Sequence, residues 1–143
     1  MDRTGDTPRT AQVVRLIHTA LVGGVLLAGG TFAFMVHVRG PAPGGSEMLG
    51  IVLPAIGMGL VLVSASILRR RVPEPRAQQT PDAYWAAAEN RGAAIVLWAA
   101  TEGAALVCLV GYFLTGAPAA AAAAVVALAT LILYRPSRLE RGT

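Results

Sequence analysis

Between Leu16 and Val38 the chain carries no Asp, Glu, Lys or Arg, and the same holds from Met48 to Leu68. A helix needs about 20 predominantly apolar residues to cross a hydrocarbon core, and both runs are long enough. A third run extends from Gly92 to Leu114, where Thr115, Gly116, Ala117 and Pro118 break it. A fourth follows from Ala119 to Tyr134. Apolar and polar residues do not alternate, and lipid admits only helices or closed barrels, because backbone groups there have no water to bond. The expected fold is all-α, an integral membrane four-helix bundle formed as one membrane unit over 1–143. Its helices are expected at about 13–38, 48–69, 81–115 and 118–135, with a loop at 70–80.

Composition agrees, since only 14% of residues are charged, against about 25% in a soluble domain. All 12 basic residues are Arg, and their placement accounts for the net charge of +4 without nucleic acid. Arg3, Arg9 and Arg15 precede the first run, Arg69, Arg70, Arg71, Arg76 and Arg91 lie between the second and third, and Arg135, Arg138 and Arg141 follow the fourth. Arg39 alone lies at the other side. The positive-inside rule therefore puts both termini and the middle loop in the cytoplasm, and the expected location is the bacterial inner membrane, multi-pass. The first run is longer than a signal-peptide core and no small-x-small site ends it, so it is expected to stay as a span. Cys108 lies within an apolar run with no second sulfur, and reads as a packing residue.

The middle loop carries a local helix start: Thr80 as cap, Pro81 at the first helical position and Asp82 on the positive end of the dipole. No breaker follows in DAYWAAAENR, so the third helix is expected to begin at Pro81, with Tyr84 and Trp85 at the headgroups.

Glu102 is the one charged residue between Gly92 and Tyr134. Ten residues into its run, it lies about 15 Å deep at 1.5 Å per residue, near the bilayer centre. An ionised carboxylate there costs a few kcal/mol by insertion scales of about 3 kcal/mol, so the group is expected to be protonated, paired or facing a wet cavity. Two readings stay open. One is a proton or cation relay; the other is a neutral acid bonded to a neighbouring helix, worth about 1 kcal/mol. Arg15 and His18, at the start of the first helix, and Ser64 and Ser66, at the end of the second, are the candidate partners. His18 and Glu102 together read as a short proton path, or His18 reads alone as an interfacial hydrogen-bonding group. Trp98 lies one turn before Glu102 on the same face, where its indole N–H can meet a carbonyl or the carboxylate. Arg91 is expected to snorkel to headgroups. His37, beside Arg39, reads as a solvated helix end.

Small residues recur at every fourth position: Ala20, Gly24 and Ala28; Ala55 and Gly59; Ala99, Gly103, Val107 and Gly111. Such spacing favours close helix approach. Pro54 is expected to kink the second helix. No set of residues with catalytic or metal-binding spacing stands out, so neither an enzyme nor a cofactor is expected.

The segment ATEGAALVCLVGYFL resembles the carboxylate-bearing helix of rotary ATP synthase c subunits. Those are two-helix hairpins, whereas Glu102 lies within a four-helix plan with different loops, so the rotor function is not carried over. The whole chain resembles a group of small bacterial four-helix membrane proteins, through I-H-x-A-L at Ile17 to Leu21, W-A-x-x-E-G-x-A-L at Trp98 to Leu106, and R-P at Arg135 and Pro136. That resemblance implies an architecture and no activity. The expected function is a non-enzymatic accessory or structural subunit, its partners the lipid bilayer and other membrane subunits or a second copy. The alternative is a proton- or cation-coupled transporter, or a conducting oligomer, that uses Glu102.

Overall fold

The computed structural model describes residues 10–141, so Arg3 and Arg9 lie outside the described residues. Every regular element described is helical. Helix α1 spans Thr10–Arg39 and stops at Gly40, whose φ of 78° suits the left-handed cap and whose N–H bonds the Val36 carbonyl at 3.0 Å. Helix α2, Glu47–Val63, starts at Ser46, whose Oγ accepts from Leu49 N, with Glu47 in the first turn. It runs on through a π-helical segment, Ser64–Leu68, into α3, Arg69–Arg71. Pro54 is accommodated inside α2 and buried. Beyond the middle loop come α4, Pro81–Ala86, and α5, Ala88–Thr115, which ends at left-handed Gly116. Helices α6, Pro118–Leu133, and α7, Pro136–Leu139, follow.

Three of these rods are long and apolar enough to cross a membrane: Thr10–Arg39, Glu47–Arg71 and Ala88–Thr115. Helix α6 is apolar but shorter, at 16 residues.

The continuous third helix expected over 81–115 is instead two helices. Ala87 takes an extended conformation, φ −68° and ψ 121°, between α4 and α5. Side chains from the first turn of α5 make the break. Asn90 Nδ2 donates to the Tyr84 carbonyl at 2.8 Å, and Arg91 Nη1 to those of Trp85 and Ala86 at 2.8 and 3.0 Å. These are the carbonyls a helix end leaves unbonded, so α4 can stop without loss. Arg91 thus caps α4 through Nη1.

Helix α5 is the axis of the molecule. It packs against α2, α6 and α1, and α2 packs in turn against α6, whereas α1 meets α6 only lightly. In lipid no hydrophobic force draws helices together, so close backbone approach and buried hydrogen bonds decide the packing. Among glycines within helices the tightest approaches are at Gly57, where an added Cβ would overlap Cys108 Sγ and come within 2.9 Å of the Ala104 carbonyl oxygen, and at Gly111, which faces Leu53 at 3.1 Å. The small-residue pattern is correct at Gly111 but not at Gly59 or Gly103, which meet nothing within 4 Å. Gly57, two residues from Gly59, faces α5 instead. Ala94, Leu97, Trp98, Ala104, Ala105 and Cys108 of α5 are fully buried, whereas Leu16, Leu27 and Phe34 of α1 are about seven-tenths exposed, at 69%, 75% and 68%. Such a helix is compatible with lipid, where exposed Leu and Phe carry no penalty.

Candidate functional site

The Arg-rich end of the molecule holds a connected set of polar and aromatic side chains. Asp82, in the first turn of α4, accepts the Ala11 N–H at 3.2 Å through Oδ1, satisfying one of the free amides at the start of α1. Tyr84 donates its hydroxyl to the Pro73 carbonyl at 2.7 Å, fastening the middle loop to α4. Burial pushes the Tyr84 phenol above its ordinary 10, with nearby Arg69 pulling the other way. Tyr84 and Trp85, expected at the headgroups, are instead inside, at 1% and 0% exposure. The break at Ala87 turns them inward.

Trp85 Nε1 donates to Glu140 Oε1 at 2.8 Å. Glu140 also receives Arg15, through Nη2 to Oε2 at 2.8 Å and Nε to Oε1 at 3.3 Å. One carboxylate therefore joins α1, α4 and the residue following α7. The pair is asymmetric, with the Arg15 side chain 52% exposed and that of Glu140 only 7%.

One layer deeper, two side chains cap the end of α6. Trp98 Nε1 donates to the Tyr134 carbonyl at 2.7 Å, and His18 Nε2 lies 3.0 Å from the Leu131 carbonyl. A carbonyl can only accept, so Nε2 of His18 carries the hydrogen. Leu131 is in the last turn of α6 and Tyr134 is its cap residue, where the helix has no donors of its own left to offer. The rings form one body: His18 edge-on to Trp98 at 5.0 Å between centroids, Trp98 tilted against Trp85 at 6.0 Å, and Trp85 edge-on to Tyr84 at 4.7 Å.

Three of the four expected site residues, Arg15, His18 and Trp98, thus belong to this cluster. Glu102 does not. Its Oε1 lies 3.8 Å from where a Cβ on Gly24 would sit, so the carboxylate rests against the bare backbone of α1, partly exposed. Among the described residues no hydrogen bond reaches it, from His18, Trp98 or either serine. Ser66 Oγ bonds its own helix at Leu62, and Ser64 Oγ is buried with no partner. No direct hydrogen bond joins His18 to Glu102 among the described residues, and His18 Nε2 is engaged by the Leu131 carbonyl. Glu140 and Asp82 are the acids that make polar contacts among the described residues. The sequence identifies Asp82 only as a helix-start acid and gives no signal for Glu140, since each bonds elements remote in the chain.

Chemically, the buried donors of the cluster, Trp85 Nε1, Trp98 Nε1 and His18 Nε2, each have an acceptor and hold helix ends together, while Arg15 stays half-exposed. Glu102 differs, being able to accept hydrogen bonds, a proton or a cation, and receiving none from the described residues. No family model matches the sequence, and no curated protein or solved structure matches it either.

Proposed function

We propose that the protein is a non-enzymatic subunit of the bacterial inner membrane, crossing it four times with both termini in the cytoplasm, and that Glu102 is its contact with a further membrane helix. The observation that carries this reading is the unpartnered carboxylate. A polar group in hydrocarbon is costly unless satisfied, and the flank beside Glu102 is open: Gly103 meets nothing within 4 Å and Ala99 is exposed. A neighbouring helix, from another subunit or a second copy, can approach there and offer the missing donor. The Arg distribution supports the orientation, and an all-Arg, Ala-rich composition is compatible with a bacterial source.

The test compares Glu102→Gln and Glu102→Ala with the native chain, using a photo-crosslinking residue at Ala99 in intact membranes. Native chain and the Gln variant, which still hydrogen-bonds, are expected to give the same protein adduct. The Ala variant is expected to lose most of it, in line with a bond of about 0.6 to 2 kcal/mol. Adducts indifferent to all three side chains would remove Glu102 from the contact. Flux driven by a pH gradient in proteoliposomes, present in the native chain and lost in Glu102→Gln, would replace the subunit reading with the transporter.

A further inference from the structure

Helix α1 follows α5 but stands off α6, and the gap between α1 and α6 is a cleft with two chemically different parts. At the Arg-rich end it is a groove of about 390 Å³ whose polar lining includes Arg15, Thr19, Arg135 and Ser137. Farther along, the same two helices bound a cavity of about 250 Å³ that is almost wholly apolar, with Val25, Gly29 and Ala33 facing Ala121, Val125 and Leu128. The two parts are in register. On α1 the lining residues advance from Arg15 through Val22 to Ala33, and on the facing side they retreat from Arg135, just beyond α6, through Ile132 and Leu128 to Ala121. Basic groups at a mouth, followed by a slot of hydrocarbon, match one kind of molecule.

We infer that this cleft binds an anionic phospholipid of the adjoining leaflet, its phosphodiester between Arg15 and Arg135 and one acyl chain in the slot between α1 and α6. Charge complementarity selects the headgroup. Arg15 remains half-exposed although paired with Glu140, and Arg135 is exposed with no hydrogen-bond partner for its side chain among the described residues, so both guanidinium groups can reach a phosphate. Ser137 adds a hydroxyl donor at the same level, whereas the Thr19 hydroxyl already donates to the Arg15 carbonyl at 2.9 Å. Length selects the chain. The phosphate level at Arg15 lies about 15 Å above Val25 and about 27 Å above Ala33 at 1.5 Å per residue, and half of a hydrocarbon core of about 30 Å is about 15 Å. A chain from one leaflet therefore enters the slot at Val25 and stops short of Ala33. Gly29 keeps the α1 wall low past the entrance, over Leu109. Glu102 is not among the lining residues, so this site and the proposed subunit contact are tested separately.

The experiment uses the full chain, delipidated in detergent and titrated with phosphatidylglycerol or phosphatidylethanolamine, with bound lipid counted by native mass spectrometry and the thermal midpoint followed in parallel. One phosphatidylglycerol is expected to be retained per chain in preference to phosphatidylethanolamine. Arg135→Gln is expected to weaken it about fivefold, the weight of about 1 kcal/mol for one Arg at an anionic surface, while Arg70→Gln, an exposed Arg outside the cleft, leaves it unchanged. Val22→Trp and Leu128→Trp, which obstruct the way into the slot from opposite walls, are each expected to reduce retention while Arg135 is intact; helicity by circular dichroism identifies a variant that fails to fold, and the other then decides. Inorganic phosphate at the same concentration is expected to shift nothing, since it has no chain. Equal retention of the two lipids, equal loss from Arg70→Gln and Arg135→Gln, or retention indifferent to both slot variants would overturn the site.

Discussion

Gly57 is the residue on which the α2–α5 crossing depends. A methyl group there would overlap Cys108 Sγ and press on the Ala104 carbonyl, one a short side chain and the other backbone, so neither can swing aside. Gly57→Ala is therefore expected to destabilise the protein by about 1 to 3 kcal/mol, the usual range for overpacking. Adding Cys108→Ala should return part of that loss, because it removes the sulfur but leaves the carbonyl. Gly59→Ala and Gly103→Ala meet open space and are expected to be neutral or to gain up to about 1 kcal/mol from better helix propensity. Thermal unfolding in detergent measures all of them, and a Gly57→Ala as harmless as Gly59→Ala would show that the helices do not cross at this point. The sequence identifies small residues but not the side they face. Every fourth position of an Ala- and Gly-rich helix forms a stripe, and only the position of the neighbouring helix selects Gly57 and Gly111 over Gly59 and Gly103. Glu102 was legible for the same reason in reverse, since a lone carboxylate in an apolar run is conspicuous whatever surrounds it. What surrounds it was not legible; that Trp98 meets a carbonyl and His18 makes a hydrogen bond was among the readings open, but not that both acceptors lie at the end of α6.

Helix α1 shows how an element can be held mainly at one end. Most of its apolar surface faces outward, and besides its strip along α5, including the Phe32–Phe113 stack at 4.8 Å, it is fixed by Asp82, Glu140 and the Leu131 carbonyl. Within that latch the tryptophan matters more than the ion pair. Glu140→Ala leaves the fully buried Trp85 Nε1 without an acceptor, at a cost of about 1 to 3 kcal/mol. Arg15→Gln only releases a half-exposed guanidinium and is expected to cost no more than about 1 kcal/mol. The expected order is thus Glu140→Ala above Arg15→Gln, with the gap narrowing in a Trp85→Phe background, where no indole donor is stranded. Hydrogen exchange should show the first turns of α1 opening in Glu140→Ala while α5 stays protected; the reverse order of stabilities would assign the latch to the ion pair. At this scale the legible features were local ones. The caps at Ser46 and at Thr80 to Asp82 follow from chemistry within a single turn. The break at Ala87 does not, because the carbonyls of α4 are closed by side chains of the next helix and Trp85 is drawn inward by a carboxylate 55 residues away. The π-helical turn at Ser64–Leu68 likewise has no breaker in its sequence.

For the whole molecule, the contacts at the Arg-rich end restrict which crossings are compatible with one another. Glu140, near the end of the described chain, bonds Arg15 near the start of α1, and the Tyr134 carbonyl meets Trp98 in the first half of α5. The beginning of α1, the beginning of α5 and the end of α6 therefore lie together, while Ala42 N bonds the Phe113 carbonyl at the opposite end. If α1 and α5 cross the membrane, α6 must return to the side from which they set out. Its 16 residues span only about 24 Å at 1.5 Å per residue, about 6 Å short of a 30 Å core. A deficit of that size is absorbed by local thinning and by Arg135 and Arg138 reaching up from its end. The proposed four-span orientation then makes a definite prediction for topology reporters. Fusions within 72–79 and after Arg141 are expected to report the cytoplasm, and a fusion within 41–46 the periplasm. The fusion after Arg141 is the decisive one. If α6 lay in the interface without crossing, that reporter would change sides relative to the middle loop, and the bond between Arg15 and Glu140 could not form across the bilayer. A periplasmic signal after Arg141 accompanied by a cytoplasmic one within 72–79 would therefore sink both the four-span reading and the latch on which α1 depends.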